Sequence, residues 1–124
     1  MKLQPDKIID VTVISGYGEG YVDAAGVRHT TSLLLLPSGA PLAWPVADID
    51  ALGVEHLQAV VDAQVEIVII GTGKRQRFLH PRALAGLYAA RIGVEMMDTQ
   101  AACRTYNILV GEGRKVAAGL VIEA

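Results

Sequence analysis

The sequence predicts an α/β fold: a mixed, partly parallel sheet with helices packed on it, behind an N-terminal β-hairpin region. Three observations lead there. Short apolar runs, Val65–Ile70 and Val94–Met97, alternate with segments whose apolar residues recur at helical spacing. Glycine or proline marks most of the junctions between them. Strand–helix–strand order also favours right-handed crossovers that place successive strands parallel, with the helices layered on the sheet.

Lys7–Ser15 alternates loosely and reads as a first strand with one mostly polar face. Gly16–Gly20 follows, where three glycines permit turns or bulges. Tyr21–Asp23 and Val27–Leu36 read as the arms of a hairpin around Ala24–Gly26. The unalternating Ser32–Leu36 end of the second arm is expected to be buried on both faces. Pro41–Pro45 is extended and carries Trp44, the only tryptophan. A helix is predicted from Asp50, which would cap it, with Ile49 and Val54 spaced as a hydrophobic staple and Val54, Leu57, Val60 and Val61 on its apolar face.

Val65–Ile70 reads as a central strand covered on both sides, ended by Gly71–Gly73 and followed by the basic loop Lys74–Arg77. Pro81 suits the first turn of the next helix, along which Leu84, Leu87, Tyr88 and Ile92 keep helical spacing, and Gly93 suits the left-handed position beyond its end. Val94–Met97 is a second short strand. Thr99–Val110 is a helix with Ala102, Cys103, Tyr106, Leu109 and Val110 on one face, and Gly111 and Gly113 end it. Arg114–Ile122 returns as the last strand.

The chain has 124 residues, of which 52% are apolar and 19% charged, the balance of one packed domain spanning residues 1–124. A net charge of −2 supplies no basic excess for binding nucleic acid. Cys103 is the only cysteine, so no internal disulfide and no CxxC metal site can form, and a reducing, cytoplasmic setting is expected. No secretion signal and no run long enough for a membrane helix is legible, and the N-terminus lacks the basic extension of a mitochondrial precursor.

Two blocks are distinctive. One is Ile69-Ile70-Gly71-Thr72-Gly73-Lys74-Arg75-Gln76-Arg77-Phe78. The other runs from Gly93 through Asp98, Thr99, Cys103, Arg104 and Asn107 to Val110, and resumes at Glu112–Leu120. Together they resemble a family of small bacterial and archaeal proteins whose mitochondrial relative is NADH dehydrogenase (complex I) assembly factor 3, and the likeness covers nearly the whole chain. The resemblance implies a three-layer α/β fold with a mixed sheet. It also implies a non-catalytic role as an assembly partner, with protein partners such as respiratory dehydrogenase subunits; the missing basic N-terminal extension is what leads to the expectation of a bacterial form.

The residues themselves offer an alternative, a small-molecule or anion-binding protein or an unrecognised enzyme, with one candidate ligand site made of Gly71, Thr72, Gly73 and Lys74 from the first block and Asp98, Thr99 and Arg104 from the second. Glycines after a parallel strand can turn backbone N–H groups towards an anion, and Lys74, Arg75 and Arg77 add positive charge. The spacing matches neither GxxxxGK[ST] nor GxGxxG. The plainer alternatives are a tight turn with solvated basic side chains, and a helix cap at Asp98 or Thr99. If both strands are parallel neighbours, their far ends meet where open α/β sheets hold ligands.

Cys103 falls on the apolar side of its helix and is expected in the core. Arg104, Thr105 and Asn107 form a polar run that a solvent-facing side would explain, although Thr105 and Asn107 are modest helix formers. His29, His56 and His80 sit in no acidic cluster, so no metal, no cofactor and no catalytic set is indicated. Trp44 is expected in core or rim packing, with a partner-facing anchor as the alternative.

Overall fold

The computed structural model describes residues 11–123. Three strands, β1 (Ile14–Gly18), β2 (Tyr21–Ala24) and β3 (Val27–His29), form a small antiparallel sheet. The larger sheet has the order β5 (Leu42–Ala43), β4 (Leu33–Leu35), β8 (Val116–Leu120), β6 (Ile67–Gly71), β7 (Gly93–Met97). Within it β6 runs parallel to both β7 and β8, whereas β4 is antiparallel to β8 and β5.

Two apolar clusters, one on each face of the larger sheet, account for this layering. On one face Val68, Ile70 and Ala117 meet Trp44, Ile49, Leu57 and the helices α1 (Gln58–Asp62) and α2 (Pro81–Ala89). On the other, Ile69, Ala118 and Leu120 meet Ala102, Cys103 and Tyr106 of α3 (Thr99–Gly111), together with Ile14 and Val22 of the small sheet. Strand β6 contributes side chains to both clusters, which is why its residues are apolar without alternation. Trp44 is a core residue, its Nε1 donating to His56 O at 2.9 Å and its ring lying over Gly119 where any Cβ would collide.

Several expectations are corrected. The first strand lies at Ile14–Gly18; of the expected Lys7–Ser15, residues 7–10 fall outside the described residues, and residues 11–13 are not in a strand. Gly16 and Gly18 lie within β1, with a bulge between Ile14 and Gly16, and both sit close under cross-strand side chains. A Cβ on Gly18 would stand 2.6 Å from the Tyr21 ring, and one on Gly16 would stand 2.9 Å from Asp23 Oδ2. The turn itself is Glu19–Gly20, with Gly20 at φ 81°.

Val27–Leu36 is two strands. It breaks near Ser32, whose buried hydroxyl donates to Val46 O and accepts from Ile122 N, so β3 stays in the small sheet while β4 crosses into the larger one. The helix expected from Asp50 is instead a series of short turns. Asp48 caps the first 3-10 turn by accepting from Asp50 N at 2.8 Å, Gly53 interrupts, and the α-helix starts only at Gln58. Val54 is 53% exposed, so it makes no staple.

Gly93 opens β7 and does not end α2. Arg91 takes the left-handed conformation (φ 61°) while Ile92 N donates to Leu87 O and Arg91 N to Tyr88 O, a Schellman ending sealed by Ile92 and Leu87 in one cluster. Tyr88 faces solvent and does not join the helix's apolar face. The last strand is confined to Val116–Leu120.

Candidate functional site

Strands β6, β7 and β8 end level with one another: Gly71 pairs with Met97 on one side and Leu120 on the other. The segments leaving those ends are Thr72–Lys74, the start of α3, and Val121–Glu123. The β1–β2 turn reaches over them, and the four pieces enclose a cavity of about 180 Å³. Its lining includes Gly73, Lys74, Asp98 and Thr99 from the candidate set, along with Glu19, Tyr21, Gln100 and Glu123.

Thr99 knots the strand ends together. Its Oγ1 accepts from Gly73 N at 2.9 Å and donates to Val121 O at 2.6 Å, while its N–H donates to Gly73 O at 2.9 Å. Gly71 has to be glycine for this contact: an added Cβ would lie 2.9 Å from both Cα and Oγ1 of Thr99. Thr72 N extends the β6–β7 ladder by donating to Met97 O, and Thr72 Oγ1 accepts from Arg77 N and donates to Arg75 O, which curls the basic loop back on itself. Gly73 adopts φ 101°, and any side chain there would strike the Glu123 carboxylate.

That carboxylate accepts the Lys74 N–H at 2.6 Å. The backbone donors of Thr72, Gly73, Lys74 and Arg77 are therefore spent within the chain. Asp98 caps α3 by accepting from Ala101 N at 3.0 Å. Lys74 lines the cavity together with three acidic residues, Glu19, Asp98 and Glu123.

Arg104 does not line this cavity. It projects from the outer side of α3, where one guanidinium nitrogen donates to Tyr17 OH at 3.3 Å, a bond that holds its pKa above the usual arginine value. Its polar neighbours also fasten α3 to other elements. Asn107 Nδ2 donates to Ile14 O at 2.7 Å and its Oδ1 accepts from Ile14 N at 2.9 Å, so a side-chain amide serves β1 as an extra strand partner. Tyr106 OH donates to Thr12 O at 2.6 Å. The polar run is thus a docking strip for the small sheet, not only a solvent face.

Cys103 is fully buried, and burial pushes its thiol up to about 12, which removes the thiolate a nucleophile needs. His56 Nδ1 accepts from Gly53 N and His80 Nδ1 from Arg82 N, so both are engaged in local caps. Among the described residues no group of three or more His, Cys, Asp or Glu has the arrangement to hold a metal. Of the cavity residues, Glu19, Tyr21, Gln100 and Glu123 were not singled out from the sequence. The Gly16–Gly20 glycines signalled a turn near Glu19, whereas nothing local relates Glu123 to Lys74, since only parallel pairing of β6 with β8 brings them together.

The fold and this cavity define a class: a mixed-sheet α/β protein with an inter-loop crevice at the ends of its parallel strands. Residues 14–121 match the family model described as "Protein of unknown function (DUF498/DUF598)", and the chain belongs to that family. It is 38% identical over 112 residues to the Danio rerio "NADH dehydrogenase [ubiquinone] 1 alpha subcomplex assembly factor 3", covering 89% of this chain and 64% of the relative. A crystal structure of a Bordetella parapertussis protein superimposes with a TM-score of 0.87 at 38% identity, covering 92% of this chain and 98% of that one. The solution structure of a Bordetella pertussis protein described as a Mth938-like domain gives 0.82 at 32% identity, covering 100% and 94%. Against three vertebrate assembly factors the chain spans only 59–65% of the relative's length. No helix among the described residues is long and apolar enough to cross a membrane.

Proposed function

We propose that this chain is a non-catalytic protein-interaction factor of the bacterial cytoplasm that acts in the assembly of a respiratory NADH dehydrogenase (complex I). One observation carries the proposal: vertebrate proteins named as assembly factors for that enzyme align with 87–96% of this chain at 31–40% identity. The state of the polar groups supports it. The one thiol is buried and protonated, and the glycine loop spends its donors on the chain's own acceptors, as expected of architecture. The partners in this proposal are subunits of the dehydrogenase.

Deleting the gene in its own organism tests this. Native gels should then show less assembled NADH dehydrogenase and more subassemblies, with recovery on re-expression. Unchanged assembly, together with affinity purifications that return no dehydrogenase subunit, would overturn the proposal.

A second reading is favoured by the cavity alone: that Gly73, Lys74, Asp98 and Thr99 hold a small polar ligand, with Gly71 and Thr72 shaping the backbone beneath. At about 180 Å³ the space falls below the ~300–1,000 Å³ of drug-sized sites, so a guest would be a few atoms or the tip of a side chain. Arg104, turned to Tyr17, has no place in that ligand shell. A polar metabolite that raises the thermal midpoint, and loses that effect on Lys74→Ala, would establish it. Shifts identical in wild type and variant would remove it.

A further inference from the structure

The charges of this chain are distributed unevenly. Between residues 74 and 91 lie Lys74, Arg75, Arg77, Arg82 and Arg91, and not one aspartate or glutamate. This segment carries +5 where the whole chain carries −2, leaving −7 to the remainder. Among the described residues only Arg77 of the five has a carboxylate partner, Asp50. Lys74, Arg75, Arg82 and Arg91 are exposed.

The same segment holds the most exposed of the large apolar side chains, Phe78 at 75%, and Tyr88 at 56%. Helix α2 turns Leu84 and Leu87 into the core and leaves Arg82, Ala85, Gly86, Tyr88 and Ala89 outward. Nine residues rise only ~14 Å, so Phe78 before the helix and Arg91 after it flank a single patch. Gly86 adds an independent observation. It sits inside the helix where an added Cβ meets nothing within 4 Å, so the chain's own packing gives no reason for the poorest helix former after proline. A bare spot there lets another backbone approach closely.

We infer that the outer face of α2, with Phe78, is a docking surface for an acidic segment of a partner protein. This rests on the protein-interaction reading above, but on no particular partner complex. Arginine and aromatic side chains around small residues are the composition of interface centres, and unpaired cations select an acidic counterpart. A lipid surface fits less well, because the aliphatic side chains of α2, Leu84 and Leu87, face inward, leaving only Tyr88 on the helix and Phe78 before it to enter a bilayer. Nucleic acid fits less well because the −7 remainder opposes a polyanion long enough to extend past the patch.

Fluorescence anisotropy on the full chain provides the test, with a labelled peptide of Glu-Glu-Leu repeats as the probe. The expected result is salt-sensitive binding of this peptide and none of its Lys-Lys-Leu counterpart. Arg82→Glu combined with Arg91→Glu should weaken it about tenfold or more, as should Phe78→Ser. Gly86→Ala should raise the thermal midpoint of the free protein while lowering peptide affinity, a combination that damage to the fold cannot produce. Equal affinity in wild type and these variants would overturn the inference. So would preferential binding to phosphatidylserine vesicles or to a short DNA duplex, or self-association in sedimentation that the charge reversals abolish. Failure here leaves the assembly experiment untouched, since the gene deletion reads a different property.

Discussion

Thr99 shows how one hydroxyl can organise a site. It is buried, and its oxygen both receives the Gly73 N–H and gives its own proton to Val121 O, joining the loops after β6 and β8 to the first turn of α3. Thr99→Val keeps the shape and removes both bonds, leaving a buried donor and a buried acceptor without partners. Such groups cost ~1–3 kcal/mol each, so the variant should lose about 2–6 kcal/mol in urea denaturation. A loss within experimental scatter would mean that the strand ends are held by backbone pairing alone. The sequence showed Asp98 and Thr99 as rival caps for one helix. The structure gives them separate tasks, Asp98 capping and Thr99 bridging, and only the tertiary position of Val121 distinguishes the two.

At the level of elements, periodicity located β6, α2 and α3 because each has one dominant burial pattern that its own residues record, and β7 as a short apolar run between them. It failed where tertiary contacts override local preference. Gly16–Gly20 allowed turns or bulges and both occur there, but local sequence did not show that Gly16 and Gly18 themselves lie in a strand beneath Tyr21 and Asp23. The region after Asp48 had helical spacing, yet Gly53 and the seating of Ile49 and Leu57 in the core divide it into short turns. The site divided in the same way. Strand ends that meet were legible from the β–α–β order, whereas Arg104 was assigned inward because sequence alone does not say that a second sheet covers α3. That sheet depends on Asn107, whose amide pairs with both backbone groups of Ile14. Asn107→Ala should free it. Amide exchange ought to quicken across β1–β3 by about ten- to a hundredfold, matching one or two lost bonds, while β6 and β8 keep their protection. Equal loosening of both sheets would show that the two unfold together and that Asn107 is not the local fastener.

For the molecule as a whole, the two clusters on opposite faces of one sheet share β6, β8 and β4, and we propose that residues 1–124 fold as one cooperative unit. Its stability should then respond to pH as a single equilibrium, and the titrating groups set the direction. On the acid side the Arg28 guanidinium holds Asp23 below the usual carboxylate range, Arg77 does the same for Asp50, and the Lys115 N–H with Arg114 does so for Glu66. Asp50 and Glu66 are exposed and Asp23 is half-buried at the surface, so their loss as pH falls through their folded values should be shallow. The alkaline side is steeper. Burial raises Cys103 from 9.0 to about 12 and Tyr106 from 10.0 to about 12. Below pH 9 neither state ionises the thiol and no stability is lost. Above it the unfolded chain releases a proton that the folded chain keeps, so stability falls with rising pH until the folded thiol also titrates. Each pH unit in that window costs up to about 1.4 kcal/mol per group. Between pH 7 and 10.5 the wild type should therefore lose about 2 kcal/mol more than Cys103→Ala, both measured by urea denaturation with a single transition. Parallel losses in the two proteins would mean that the thiol is not sealed in the core, and two separable transitions would mean that the clusters are not one unit.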